Sequence, residues 1–363
     1  MIEALERILS GPAYDSPGPV AERTHRARSR TSRIRPVSTE PFRTLAPWLR
    51  EHFGQSVYRV ALDAGSTCPN RDGTRGFGGC TYCDVEGSGT GEQRQGTELR
   101  EQLERGLARL RRRARGGRPV GAIAYFQSYT NTYVESDRLA EVLAVVEPHL
   151  GREVVCVSVA TRPDCLSDSA LEELSKLSLR VPVWVELGLE CADDSILTQI
   201  NRLHTVAEFE DAVARCHASG LVTVGHAILG LPGDGREGAR RTALALRRAG
   251  VWGVKVHHLM VLERTQMAAS WRRGELEVLE SETYVSWLAD FVERLDPAQV
   301  LHRMTGDSPP EKLLAPHWDL HKNAIRERLA AELSSRGTQQ GSYPDTHSVE
   351  SGSQHFSTGL DRA

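Results

Sequence analysis

Val57–Glu86 reads VYRVALDAGSTCPNRDGTRGFGGCTYCDVE. Its first part alternates apolar and polar residues as a half-buried strand does, and the remainder is too rich in glycine to be helix or strand. That glycine-rich loop holds Cys68, Cys80 and Cys83 in a C-x11-C-x2-C array, and three clustered thiols imply a metal. A closed structural zinc site wants four ligands, so His52 or His204 would have to complete a Cys3His set. An iron–sulfur cluster on three thiolates instead leaves one iron open to nitrogen and oxygen donors, which makes a reactive site.

Downstream of the loop, helical and strand patterns alternate. Leu99, Leu103, Leu107 and Leu110 recur at helical spacing within Thr97–Arg115, and VGAIAYFQ follows at strand length. The series continues as helix Ser136–Leu150, strand Glu153–Ala160, helix Asp168–Leu177, strand Val181–Leu189, helix Val206–Ser219, strand Leu221–Leu229, helix Arg236–Ala249 and strand Gly253–Leu262. Six strands joined by connections too long for hairpins predict right-handed βαβ units: an α/β fold with a partial or full parallel (β/α) barrel, the (β/α)6 form. A short amphipathic helix over Phe42–Phe53 leads in; helix Glu282–Leu295, edge strand Val300–Met304 and helix His321–Leu333 close the domain.

Around this domain, residues 41–333, composition changes. Residues 1–40 carry ERTHRARSRTSRIRP with few large apolar residues, which predicts a disordered arginine-rich extension; residues 334–363 turn to Ser, Gly, Gln and Thr, which predicts a disordered tail. The 363 residues have a formal net charge of −3, so the chain as a whole does not advertise a nucleic-acid or membrane surface. No run of eighteen apolar residues and no secretory pattern are present, which predicts a cytoplasmic protein without membrane contact. The seven cysteines are mostly isolated within apolar segments, as expected of a reducing compartment rather than a disulfide framework.

In a parallel barrel the reactive groups gather where strands end, because backbone groups are free there and helix N-termini point inward. Besides the cysteine loop, the polar or glycine-rich strand ends are Gln127–Asn131, Ala160–Asp164, Glu186–Glu190, His226–Asp234, His257 with His258, and Arg303–Asp307. All are expected on one rim.

The loop CPNRDGTRGFGGCTYC resembles the expanded cluster loop of the radical S-adenosylmethionine (SAM) superfamily, specifically its YhcC-like branch, kin of the elongator catalytic subunit. The common superfamily spacing is C-x3-C-x2-C, so Cys68 lies farther upstream here. FGQSVYRVALDAGSTCPNRDG, AYFQSYTNTY, ATRPDCL, ELGLE with INRLHT, ILGLPGD, KVHHLMVLERT and HRMTGDSP resemble the same branch in the same order, over Phe42–Leu333.

The resemblance implies a metal-binding enzyme with a [4Fe-4S] cluster on Cys68, Cys80 and Cys83, whose fourth iron chelates SAM. Reduction by a donor such as flavodoxin or ferredoxin would yield a 5′-deoxyadenosyl radical that abstracts hydrogen from a substrate. Tyr82 falls where an aromatic commonly meets adenine. Gln127 and Ser128 stand where the superfamily often has a glycine-glycine-glutamate motif, absent here. Glu190 is placed to accept from ribose hydroxyls, Arg162 to pair with a carboxylate, and Gly230 and Gly233 to form a backbone ledge for adenine. Lys255, His257 and His258 at the end of the sixth strand are substrate-side candidates, and Asp307 in the HRMTGD segment is a further candidate. The two adjacent histidines on a strand face opposite ways, so only one should reach the interior. Cys165 is a candidate hydrogen donor. Whether the substrate is RNA or a small molecule is left open, and the arginine-rich extension supports an alternative: an iron–sulfur or zinc nucleic-acid-binding protein without SAM cleavage.

Overall fold

The computed structural model describes residues 40–84, 92, 96–114, 119–321 and 323–343. The extension 1–39 and the last twenty residues, on which disorder is expected, lie outside the described residues.

Seven strands form one sheet in the order β1 (Ser56–Leu62), β2 (Val120–Phe126), β3 (Val154–Thr161), β4 (Val183–Glu190), β5 (Val222–Leu229), β6 (Gly253–His258) and β8 (Val300–Arg303), every neighbouring pair parallel. The sheet curls into a half-barrel, with β1 and β8 as its two edges. The edge strand expected at Val300 is thus the seventh member. The strand read as Gly253–Leu262 is broken: β6 ends at His258, and β7 (Val261–Leu262) pairs antiparallel with β9 (Leu313–Ala315) in a separate ribbon.

The helices follow from local chemistry. α1 (Leu45–Phe53) precedes β1, and α2 (Leu99–Arg113), α3 (Ser136–Ala144), α4 (Asp168–Ser178), α5 (Asp194–Gln199), α6 (Val206–Ala218) and α7 (Gly235–Arg248) lie between the strands. Thr205 and Glu208 form a reciprocal capping box that starts α6, and Ser167 and Asp193 cap α4 and α5. α8 (Gln266–Arg272), α9 (Ser281–Val292) and α10 (Ala324–Arg336) complete the chain. The short helices α5 and α8 escape the sequence reading because each is barely two turns, too brief to show a period.

β3 and β4 are buried along nearly their whole length, as strands covered on both faces must be. Their outer face packs on the helices through Leu171, Leu174, Phe209, Leu246 and Leu288. Inside, the N-terminal end of the half-barrel is plugged by aromatic rings: Trp48 of α1 lies 4.6 Å from Trp252, and His302 of β8 lies about equally close to Trp184 and Trp252, at 5.1 and 5.0 Å. This plug fills the N-terminal end, and a cavity lies at the other end, where the strands finish.

Order continues past the expected boundary at residue 333. α10 runs to Arg336, and the Gln340 amide, 4% exposed, donates to the carbonyls of Asp296 and Gln299 at 2.6 and 2.8 Å. A single buried polar anchor of this kind leaves no periodic trace in sequence.

Candidate active site

Each strand end contributes to a cavity of about 390 Å³ at the C-terminal side of the sheet. Cys68, Cys80, Cys83 and Tyr82 line one part, Gln127, Arg162 and Glu190 another, and His226, His257, Arg303 and Asp307 a third. Ser128, Gly230, Gly233 and Cys165 do not line it. Ser128 is fully buried and its hydroxyl has no hydrogen-bond partner. Gly230 and Gly233 face apolar side chains instead, Leu279 and Ile196 respectively. Cys165 is half-buried, and burial beside Asp164 pushes its thiol up to about 12, so the S–H stays protonated. Lys255 lies just behind the cavity, 3% exposed. Of the two adjacent histidines, His257 lines the cavity while His258 turns to stack on Trp318, as strand geometry requires.

The cysteine loop folds by satisfying its own backbone. Gly79 N donates to Asn70 O and Cys83 N to Cys80 O. The loop is fastened to the turn after α5: Thr81 N donates to Ile200 O, and Asn201 Nδ2 to the carbonyls of Phe77 and Gly79. Asn70, fully buried, donates to the carbonyls of Asn201 and Arg202 and points toward Cys80 Sγ at 3.6 Å.

Three polar side chains therefore aim at sulfur. Arg71 Nη2 reaches Cys83 Sγ at 3.3 Å and the carbonyls of Cys83 and Asp84, and Arg202 Nη1 stands 3.9 Å from Cys80 Sγ. Gly79 is needed beside them: its φ is +79°, and a Cβ there would stand 3.0 Å from the Arg71 guanidinium. Burial and the adjacent Cys80 push the Cys83 thiol up to about 12 while Arg71 pulls it down, so a thiolate here needs cationic company. All three cysteines are free, with Cys68 and Cys80 buried. The donor set fits an iron–sulfur cluster, in which each thiolate takes a different iron and nearby N–H groups support the sulfurs. It fits zinc poorly: neither His52 nor His204 lines the cavity, and among the described residues no three His, Cys, Asp or Glu side chains converge to hold a single ion.

Glu190 is held under strain. A bulge between Gly188 and Glu190 shifts the β4–β5 register, and Glu190 adopts φ +70°, a conformation non-glycine residues avoid. The result turns its carboxylate into the cavity, 3.4 Å from Arg202. Asn201 and Leu203, on either side of Arg202, also have positive φ, so the guanidinium is placed by an irregular turn. Gly188 leaves the room: a Cβ there would stand 2.4 Å from an Arg202 nitrogen and 2.5 Å from Glu190 Oε1. Arg162 is spoken for in part, since it makes a side-on pair with the buried Asp164 carboxylate at 2.9 and 2.8 Å, leaving Nη1 unpartnered.

Deeper in the half-barrel, Glu186 collects three donors: Ser158 Oγ at 2.6 Å, His226 Nε2 at 2.9 Å and Lys255 Nζ. Those donors, Lys255 above all, hold its carboxyl well below the usual range in spite of burial. Burial pulls Lys255 down to about 7, against the attraction of Glu186, and its ammonium lies over the Tyr125 ring at 4.1 Å. Sequence reasoning assigned no role to Arg71, Arg202, Glu186, His226 or Arg303. Four stand in quoted motifs and His226 at a named strand end, yet strand-end position alone does not say which way a side chain turns.

Comparison with known proteins agrees with this architecture. The radical SAM superfamily model matches residues 67–246, and the radical SAM C-terminal domain model matches residues 251–335. The protein YtqA of Bacillus subtilis is 37% identical over 306 residues, covering 83% of this chain and 92% of that protein. The protein YhcC of Escherichia coli is 34% identical over 292 residues, covering 80% and 92%. Among solved structures, an archaeal Elp3 from Methanocaldococcus infernus superposes with a TM-score of 0.61 at 17% identity, covering 79% of this chain and 64% of that one. The chain belongs to the radical SAM superfamily.

Proposed function

We propose that this protein is a radical SAM enzyme that holds a [4Fe-4S] cluster on Cys68, Cys80 and Cys83, binds SAM beside it and abstracts hydrogen from a substrate enclosed by the half-barrel. The observation that carries the proposal is the convergence on one cavity of three free thiols, donors aimed at their sulfurs, and a strained acid, Glu190. When bound, the cluster would pass one electron from an external low-potential donor to SAM and so generate a 5′-deoxyadenosyl radical, the hard chemistry belonging to the cofactors.

The chain's own residues supply the rest. Asn70, Arg71 and Arg202 orient the thiolates and offset their charge. Glu190, paired with Arg202 at 3.4 Å, accepts from ribose hydroxyls. Tyr82 and Gln127 line the walls, and the unpartnered Nη1 of Arg162 offers one donor to the SAM carboxylate. The aromatic plug below limits water from that end.

The test is anaerobic reconstitution of the full chain with iron and sulfide. The reduced protein should show an electron paramagnetic resonance signal that changes on adding SAM, and 5′-deoxyadenosine should accumulate with reductant. The Cys80→Ser variant should lose both. A reduced cluster whose signal ignores SAM would refute the proposal.

A further inference from the structure

Beyond the cysteines, the cavity carries a cation that nothing among the described residues balances. Arg303 ends β8 and lines the cavity. Its Nε is buried without a hydrogen-bond partner, and no hydrogen bond or ion pair joins it to another described residue. The other charges on the lining are spoken for: Glu186 by Lys255, Ser158 and His226, Glu190 by Arg202, and Asp84 by Lys312 at 3.5 Å. Asp307 sits exposed at the rim.

The backbone is built to put Arg303 there. Regular alternation along β8 would send Leu301 outward into the helix-facing core, His302 inward onto the aromatic plug, and Arg303 outward again. The β6–β8 register instead slips between Val254 and Lys255, so that Leu301 pairs with Val254 and Arg303 pairs with Lys255. The extra residue reverses the alternation, and Arg303 turns inward beside Lys255. Re-aiming a side chain is what a bulge at a site accomplishes. Burying an arginine edge with no acceptor is costly, and a groove holding such a group is suited to an anion.

His257 fixes what stands beside that anion. Its Nδ1 lies 2.9 Å from the carbonyl of His258, which can only accept, so Nδ1 carries the proton. Nε2 is then an acceptor. Burial and the Arg303 charge keep this ring neutral, and the same arginine also depresses His258. We propose that Arg303 is the substrate's anchor: it binds a carboxylate or phosphate group of the substrate, with His257 Nε2 accepting from an adjacent O–H or N–H. The inference rests on the radical SAM reading, because it assigns the cavity outside the SAM contacts to substrate.

The test uses the anaerobically reconstituted full chain saturated with SAM. Thermal unfolding is followed in millimolar inorganic phosphate and, in a separate arm, acetate, each against chloride at equal ionic strength. One of the two should raise the midpoint in the wild type, and which one does so names the oxyanion. Arg303→Gln should abolish the rise, corresponding to at least about tenfold weaker binding, the usual effect of losing one charged hydrogen-bond partner. Arg303→Lys should keep part of it, and SAM affinity read from the paramagnetic signal should stay unchanged in both variants. No rise with either anion, an undiminished rise in Arg303→Gln, or an equal loss of SAM affinity would each overturn the inference. A wild-type signal that ignores SAM would instead count against the radical SAM reading alone.

Discussion

Replacing Arg71 by glutamine tests the cluster environment most directly, because it deletes a charge while keeping an N–H for sulfur. Arg71 Nη2 lies 3.3 Å from Cys83 Sγ. At that separation a unit charge acts on the thiolate with about 5 kcal/mol at an effective dielectric of about 20. In the proposed cluster the electron added on reduction would be shared over the whole group, taken as roughly twice as far away, which would leave about 2.5 kcal/mol, or about 110 mV for a one-electron couple. Arg71 is only half-buried, so screening brings the expected effect to roughly 50–110 mV.

The sign follows from charge. Reduction adds a negative charge that Arg71 attracts, so Arg71→Gln should lower the midpoint potential, and Arg71→Lys should restore most of it. Potentiometric titration of the reconstituted protein without SAM, monitored by paramagnetic resonance, measures the shift directly. A shift under about 20 mV in Arg71→Gln, or equal shifts in the glutamine and lysine variants, would refute the electrostatic role.

Three further outcomes are expected. Gly188→Ala should displace Glu190 and Arg202 and weaken SAM binding at least about tenfold, measured by equilibrium dialysis, because a Cβ cannot fit between them. Asp290, which accepts from Arg236, Arg240 and Arg336 at 2.7–2.8 Å and ties α7, α9 and α10 together, should cost about 2–4 kcal/mol in urea unfolding when changed to Asn at pH 7. Those arginines hold its carboxyl well below the usual range, so its contribution is present above about pH 4, and the gap between variant and wild type should narrow by about 1.4 kcal/mol per unit below that. Gly106→Ala should destabilise by about 1–3 kcal/mol in the same assay, since its Cβ would stand 2.2 Å from Val60 of β1.

Most of the scaffold was legible because it is written locally. β1 alternates apolar and polar residues, β2 to β6 are largely apolar stretches of strand length, and Leu99, Leu103, Leu107 and Leu110 carry the period of α2 in plain view. The three-cysteine loop was legible by residue type and spacing, and the structure brings its thiols to one cavity. The break after His258 was not legible, because Leu259–Leu262 continues the apolar run while the chain leaves the sheet to pair with β9. Among candidate ligands, Tyr82, Gln127, Arg162 and Glu190 do line the cavity, whereas Gly230 and Gly233 meet apolar neighbours on another side of their turn.

By itself, then, the sequence determined the order of βα units, the rim on which polar groups gather, and the three-thiol loop, since each depends on residues close together in the chain. Tertiary structure alone decided which charges meet. Cys80 and Arg202 are 122 positions apart, Glu186 and Lys255 are 69 apart, and Arg303 faces inward because the register slips by one residue at β8. A one-residue shift reverses a side chain without altering composition or periodicity, so only the folded sheet reveals it.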